Sequence, residues 1–280
     1  MSWLRRHRAA AGLVALAAVV WLGAFQWALD REMAPSAAWI QDLEAYERLD
    51  ATNPPPDRAV LFVGSSSIRL WSSLRGDFPR YRVFRRGFNG ARIDHMSRHV
   101  DDLVAPYDPE MVILYAGDND LADGLKPREV LLEYQSLVDR VRREVPTGRV
   151  GILSIKPSPS RWHLVRRIRE TNRRLKEWCE RHDWLDFIDV HTGMLDEHGR
   201  PRTAYFESDG LHPSPRGYSA WADRIRGFLP ETARRTNLIT PTPPSAAAAT
   251  AQPPPSPSPM PTPDPIKRGA EEPALACDPR

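Results

Sequence analysis

The sequence predicts an α/β protein, a three-layer α/β/α sandwich built around a mostly parallel five-stranded sheet. Short apolar runs alternate with longer amphipathic segments from residue 59 to residue 228. This alternation is typical of a parallel sheet that helices cover on both faces. Ligands of such sheets bind outside the carboxyl ends of the strands, and polar turns that contain glycine follow several of the apolar runs.

The predicted elements follow one another in a regular order. Five apolar runs are interpreted as strands, at residues 59–63, 81–84, 111–115, 150–155 and 185–190. Four amphipathic segments are interpreted as helices, at residues 91–103, 127–145, 161–182 and 215–228. Pro127 suits the first turn of a helix, and the sequence VPTG at 145–148 is typical of a helix end.

The N-terminal segment, residues 1–30, is predicted to be a signal anchor. It contains an uncharged apolar stretch of 21 residues, 9–29, which is long enough to cross a bilayer as a helix. Arginines precede this stretch, so the positive-inside rule predicts a single-pass membrane protein with its folded domain in the periplasm or at the cell surface. A cleaved signal peptide is the alternative, although its apolar region is usually shorter. Residues 31–45 are predicted to form a short stalk.

The C-terminal segment, residues 236–280, is rich in proline and alanine. Thirteen prolines lie between positions 241 and 280. Proline cannot continue helices or central strands, and the segment has little apolar surface to bury, so a disordered or extended tail is predicted. The folded domain is therefore predicted to span residues 46–232, an ordinary size for one domain.

Charge and cysteine content exclude some functions. The net charge of +3 is small and the basic residues are scattered, which does not indicate binding of nucleic acid. The two cysteines, Cys179 and Cys277, lie in different regions, and the sequence shows no spacing typical of a metal site.

Four polar turns are predicted to meet at one edge of the sheet. Three of them follow the first three strands, and the fourth precedes the last helix. They contain the sequences Gly64-Ser65-Ser66-Ser67, Gly87-Phe88-Asn89-Gly90, Gly117-Asp118-Asn119-Asp120 and Asp209-Gly210-Leu211-His212.

These turns contain the groups that acyl transfer needs. A serine hydroxyl becomes a nucleophile when a base takes its proton, and histidine is suited to that task near neutral pH. Among the eight histidines, only His212 has a carboxylate three residues earlier in a turn rich in glycine and proline. Asp209 could orient the imidazole and stabilise its charged form. The backbone amide of Gly90 and the carboxamide of Asn119 are suited to stabilise an oxyanion.

The four blocks together resemble the SGNH (GDSL-like) hydrolases, whose name lists Ser, Gly, Asn and His. The first block usually reads Gly-Asp-Ser and is Gly64-Ser65-Ser66 here. All four blocks occur in the order of that family and extend over residues of about 60–220, nearly the whole predicted domain. The resemblance implies a flavodoxin-like version of the predicted sheet.

The resemblance also implies a role for each residue of the site. Ser66 is the expected nucleophile, with Asp209 and His212 completing a catalytic triad. Ser66, Gly90 and Asn119 are the expected oxyanion hole, and neither a metal nor an organic cofactor is expected. Ser65 replaces the usual aspartate, and Ser67 is expected to cap a helix or form part of a turn. No Gly-x-Ser-x-Gly elbow occurs, which argues against the ordinary α/β-hydrolase arrangement.

The leading functional hypothesis is an extracytoplasmic serine esterase that removes an acyl group, for instance acetyl, from a small-molecule, glycan or lipid ester. An acyltransferase with the same triad is the first alternative, since only the acceptor of the acyl group differs. A metal-dependent phosphoesterase is the second, suggested by Asp118, Asp120, Asp209 and His212. A non-catalytic binding module of the same fold is the third.

Overall fold

A five-stranded parallel sheet forms the centre of the computed structural model, which describes residues 37–235. The strand order is β2-β1-β3-β4-β5, and all four neighbouring pairs are parallel. The strands are β1 (Val60–Gly64), β2 (Val83–Gly87), β3 (Met111–Tyr115), β4 (Arg149–Leu153) and β5 (Leu185–Ile188). The predicted α/β fold is confirmed, and its strand order is the flavodoxin-like one.

Helices cover both faces of the sheet. Within the described residues they are α1 (Ala37–Thr52), α2 (Ser66–Arg69), α3 (Leu74–Asp77), α4 (Ile93–Arg98), α5 (Val100–Leu103), α6 (Asp118–Ala122), α7 (Pro127–Glu144), α8 (Val165–Cys179) and α9 (Pro215–Ile225). The helix predicted over 91–103 is divided into α4 and α5 at His99. The helix predicted over 161–182 begins instead with a 3-10 segment, Pro159–Leu164, which precedes α8.

The core consists of two apolar clusters, one on each face of the sheet. Alternate residues of β1 enter different clusters: Leu61 lies with the apolar faces of α7 and α8, and Phe62 lies with those of α3 and α9. Every residue of β1 and β3 is buried. This continuous burial explains why the central strands read as uninterrupted apolar runs in the sequence.

The second strand differs from its prediction. It spans Val83–Gly87 rather than 81–84, and its last three residues include two arginines, Arg85 and Arg86. The guanidinium of Arg86 is buried because it forms an ion pair with Asp50 of α1 at 2.5 Å, a partner that the local sequence does not reveal.

The boundaries of the domain also differ from their predictions. The predicted stalk, 31–45, overlaps α1, and Trp39 of this helix is buried in the core. At the other end, Arg235 donates a backbone hydrogen bond to Arg80 at 2.9 Å, beyond the predicted limit at 232. The domain extends beyond both predicted limits because α1 bonds to β2 and the C-terminal end bonds to residues 80–81, contacts that composition does not show.

The predicted signal anchor (1–30) and the proline-rich tail (236–280) lie outside the described residues, as do residues 31–36 of the predicted stalk. No helix found between residues 37 and 235 has both the length and the apolar character that crossing a membrane requires.

Candidate active site

Ser66 lies where the chain leaves the centre of the sheet. It is the first residue of α2, which follows β1 directly, and its side chain is half-buried. The chain crosses from one side of β1 to the other after β2, so Ser66 stands at the topological switch point where such sheets bind ligands. A side chain at Gly87 would collide with the backbone of Arg69, so this glycine lets α2 pack against the end of β2.

Ser66, His212 and Asp209 form a continuous chain of hydrogen bonds. The Oγ atom of Ser66 lies 2.9 Å from Nε2 of His212. The Nδ1 atom of His212 lies 2.6 Å from Oδ2 of Asp209. An ionised carboxylate can only accept, so Nδ1 carries the proton and Nε2 accepts from the serine hydroxyl. The structure thus places a serine hydroxyl, an imidazole and a carboxylate in contact, the arrangement that an activated serine nucleophile needs.

The loop that contains Asp209 fixes the orientation of its carboxylate. The Oδ1 atom accepts hydrogen bonds from the backbone amides of Leu211 at 2.7 Å and His212 at 3.0 Å. Burial by itself would raise the pKa of Asp209, but these two amides and the His212 imidazole lower it to about 2. The carboxylate is therefore ionised at neutral pH and can stabilise an imidazolium.

Gly90 lies in an exposed turn after β2, with a φ of 67° that favours glycine. No backbone carbonyl of residues 37–235 accepts the Gly90 N–H. Its amide is thus one of the groups that can donate to a bound oxyanion.

Asn119 is held against the same turn. Its Nδ2 donates to the carbonyl oxygen of Ala91 at 2.9 Å, and its Oδ1 accepts from Nη2 of Arg161 at 2.8 Å. Arginine can only donate, so Arg161 fixes which end of the carboxamide carries the oxygen. One N–H of Asn119 is used by Ala91, and its second N–H can serve as an oxyanion donor.

A segment that the sequence analysis did not single out joins both halves of this site. It follows β4 and reads Lys156-Pro157-Ser158-Pro159-Ser160-Arg161. The backbone N–H of Ser160 donates to Gly210 at 3.1 Å, and the Ser158 hydroxyl donates to Leu211 at 3.3 Å. These bonds hold the loop of Asp209 and His212, while Arg161 holds Asn119. The segment therefore fixes the position of the His212 imidazole relative to the Asn119 carboxamide.

Lys156 anchors this segment through a buried ion pair. Its Nζ donates to Oδ2 of Asp118 at 2.5 Å and to the hydroxyl of Tyr115 at 2.9 Å. Arg161 approaches the same carboxylate oxygen at 3.1 Å. Burial would raise the pKa of Asp118, but the charges of Lys156 and Arg161 lower it below its ordinary value. The sequence places Lys156 directly after the apolar run 150–155, but the burial that makes a charged partner necessary is visible only in the structure.

The acidic residues of the third block have structural partners. The carboxylate of Asp118 faces two cations, Lys156 and Arg161. The two oxygens of Asp120 accept from the backbone amides of Ile93 and Gly117, each at 3.1 Å, and burial raises the pKa of Asp120 to about 7. In the part of the chain from 37 to 235, no group of three or more His, Cys, Asp or Glu residues is arranged to hold a metal ion. These contacts do not favour the metal-dependent alternative.

The two serines beside Ser66 have different surroundings from it. Both Ser65 and Ser67 are buried, and neither hydroxyl forms a hydrogen bond with any described residue. The expectation that Ser67 caps a helix or forms part of a turn is wrong, since it lies inside α2 and its hydroxyl has no hydrogen-bond partner among the described residues. Only the hydroxyl of Ser66 reaches the imidazole.

A flavodoxin-like strand order, with a serine, a histidine and an aspartate in contact at the carboxyl edge of the sheet, is typical of a hydrolase that lacks the nucleophile elbow of the ordinary α/β hydrolases. The model of the GDSL-like lipase/acylhydrolase family matches residues 62–220, more than half of the chain, and the protein belongs to this family. It is therefore an ester-hydrolysing enzyme, as predicted.

Solved structures show the same fold. A protein from Streptococcus pneumonia, described as a candidate platelet activating factor, is 22% identical with a TM-score of 0.61, and the match covers 76% of this chain and 99% of that one. A candidate acylhydrolase from Bacteroides fragilis is 22% identical with a TM-score of 0.60, covering 70% and 97%. A GDSL-like lipase from Bacteroides thetaiotaomicron is 20% identical with a TM-score of 0.57, covering 66% and 96%. No curated protein sequence matches the chain.

Proposed function

We propose that the protein is a serine esterase in which Ser66 is the nucleophile, His212 the general base and Asp209 the residue that orients it. The observation that carries this proposal is the uninterrupted chain of hydrogen bonds from Oγ of Ser66 through the imidazole to the carboxylate, at 2.9 and 2.6 Å. The amides of Ser66 and Gly90 and the carboxamide of Asn119 form the oxyanion hole.

The reaction proceeds in two acyl transfers. In the first, Oγ of Ser66 bonds to the carbonyl carbon of the ester while its proton passes to Nε2 of His212. The imidazolium then protonates the leaving alcohol, which departs and leaves an acyl group on Ser66. In the second, His212 takes a proton from water, the hydroxide attacks the acyl carbon, and the carboxylic acid is released as Ser66 regains its proton.

Labelling with a fluorophosphonate tests the proposed nucleophile directly. The reagent forms a bond to an activated serine, so we expect one label on the wild-type protein, located on Ser66 by mass spectrometry of its peptides. A panel of p-nitrophenyl esters, from acetyl to long acyl chains, then identifies the acyl group that the site accepts. A label on another residue, or ester hydrolysis that stops when a chelator is added, would contradict the proposal.

Asn119→Ala is expected to lower kcat for p-nitrophenyl acetate by roughly 10²–10³-fold, the usual effect of removing one oxyanion donor. The value of KM should change little, because the donor acts on charge that develops only in the transition state. Steady-state kinetics measure both constants. An unchanged kcat would leave Asn119 only the structural role of bonding Ala91.

We also propose that the enzyme acts outside the cytoplasm, attached to the membrane by its first segment. The support is the 21-residue apolar stretch at 9–29 behind its arginines, together with the start of α1 at Ala37. The chain between this stretch and the domain is then only residues 30–36, so the active site would be confined near the bilayer. Esters of the envelope, on glycans or lipids, are the substrates that this location favours.

Fractionation of cells that express the full chain checks this location. We expect the full-length mass in the membrane fraction after a high-salt wash, and cleavage of the domain by protease added from the outer side. A shortened soluble product would show that the first segment is a cleaved signal peptide. A domain protected from external protease would contradict the proposed orientation.

A further inference from the structure

The first helix, α1, contacts two backbone segments of the candidate active site although it precedes the region 62–220 that the family model matches. One segment is the turn 87–90, which contains the Gly90 amide. The other is α2, which begins at Ser66. The contacts of α1 are hydrogen bonds and a ring contact with the turn, and an ion pair with α2.

Tyr46 of α1 forms hydrogen bonds with backbone groups on the outer edge of β2. Because β2 is the edge strand of the sheet, its backbone N–H and C=O groups that point away from β1 have no neighbouring strand with which to form hydrogen bonds. The Tyr46 hydroxyl accepts from the N–H of Gly87 at 3.2 Å and donates to its carbonyl oxygen at 2.9 Å. Burial raises the pKa of this hydroxyl, so it keeps the proton that it donates.

Trp39 of α1 holds the next two residues of the turn. Its ring stacks on Phe88 with centroids 4.3 Å apart and planes inclined by 16°. Its Nε1 donates to the carbonyl oxygen of Asn89 at 3.3 Å, and Asn89 directly precedes Gly90. From the opposite side, the N–H of Phe88 donates to Gly64 at 3.0 Å. The turn is therefore fixed between α1 and the strand that leads to Ser66.

Asp42 of α1 contacts the helix of the nucleophile itself. Its Oδ1 accepts from Nη2 of Arg69, the last residue of α2, at 3.3 Å. The two side chains are 15% and 8% exposed, so this ion pair is largely shielded from solvent. One rigid helix thus bonds both to the segment that carries the nucleophile and to the turn that carries an oxyanion donor.

We infer that α1 is a positioning element of the active site, and that Trp39 and Tyr46 act by holding the turn 87–90 at a fixed distance from Ser66. This inference rests on the proposed function, because it assigns catalytic value to the Gly90 amide. An oxyanion donor is effective only when it is already in place as charge develops, so movement of the turn raises the energy of the transition state more than that of bound substrate.

Kinetics of the full-length protein test the inference through two conservative variants. Trp39→Phe keeps a ring on Phe88 but loses the N–H donor, and Tyr46→Phe loses only the hydroxyl. Each is expected to lower kcat for p-nitrophenyl acetate by about 10-fold, the equivalent of one neutral hydrogen bond at its upper range. The value of KM should change by less than about twofold, whereas a loss of substrate binding would raise it.

Trp184→Phe is the matched control. Like Tyr46, Trp184 is a partly buried ring packed on the core, but it precedes β5 at the amino edge of the sheet, opposite the active site. Its kcat should stay within about twofold of the wild type. An equal loss of kcat in this control, or an unchanged kcat in both α1 variants, would overturn the inference.

Hydrogen–deuterium exchange gives a readout that does not depend on activity. In Tyr46→Phe, the amide of Gly87 loses its acceptor, so exchange in the peptide that contains the turn should accelerate by about 10-fold. Exchange in β5, which lies at the opposite edge of the sheet from β2, should be unchanged. An unchanged exchange rate in the turn would overturn the inference. A wild-type protein without ester hydrolysis would overturn the proposed function instead, and the exchange rate would still decide whether α1 holds the turn.

Discussion

Ser66→Ala will reduce the hydrolysis of p-nitrophenyl acetate by roughly 10⁶-fold, and His212→Ala will reduce it by about as much. The double variant should be no worse than either single one. The reason is that the hydroxyl and the imidazole, 2.9 Å apart, act as a unit: neither promotes the attack on the ester when the other is missing. Measurements of kcat/KM on the three variants check this expectation.

The neighbouring serines provide the controls for this experiment. Ser65→Ala and Ser67→Ala remove hydroxyls that have no hydrogen-bond partner within the described chain, so both variants should remain active. An inactive Ser67→Ala beside an active Ser66→Ala would show that the nucleophile is Ser67 and not Ser66. Losses that add in the double variant of Ser66 and His212 would show that these two residues do not work as a nucleophile and its base.

The sequence was sufficient to predict which turns meet at the site. Apolar runs identify the central strands, and in a parallel sheet their carboxyl ends share one edge, so the residues after β1 and β3 must be near each other. The contact of His212 with Ser66 spans 146 positions and is not visible in any local pattern. It could be predicted only because four blocks with the family's residue types occur in the family's order.

The features of the fold that could not be predicted, the end of β2 and the packing of α1, depend on contacts with residues distant in sequence. Arg85 and Arg86 made the end of β2 look like a loop, because the acid that pairs with Arg86 lies on α1. The sequence of α1 does contain a pattern that predicts a helix. Its residues Trp39, Leu43 and Tyr46 have the i, i+4, i+7 spacing of an apolar helix face. The segment is nevertheless interpreted as part of a stalk, because the local sequence does not show which residues this apolar face packs against.

Lys156→Met will lower the free energy of unfolding by about 3–5 kcal/mol, the usual cost of removing one partner of a buried ion pair. The Lys156 side chain is 1% exposed and Asp118 is 5% exposed, so the variant leaves a carboxylate in the core with only Arg161 to balance it. Chemical denaturation followed by tryptophan fluorescence measures the change. Lys176→Met is the control, because this lysine is 61% exposed and its pair with Glu180 is long, at 3.9 Å. It should change stability by less than about 0.5 kcal/mol.

The stability that Lys156→Met loses relative to the wild type, its stability deficit, depends on pH if the variant has lost a charge partner, and does not if it has lost only packing. Without Lys156, burial of Asp118 is less compensated, so the pKa of its carboxyl in the folded state rises and the folded state binds a proton more readily than the unfolded state does. The deficit of Lys156→Met should therefore shrink as the pH falls from about 8 to about 5. Asp118→Asn added to Lys156→Met should recover part of the lost stability, because it removes the charge that was left unpaired. A deficit that is equal at both pH values, and no recovery in the double variant, would mean that Lys156 stabilises the fold through its aliphatic chain alone.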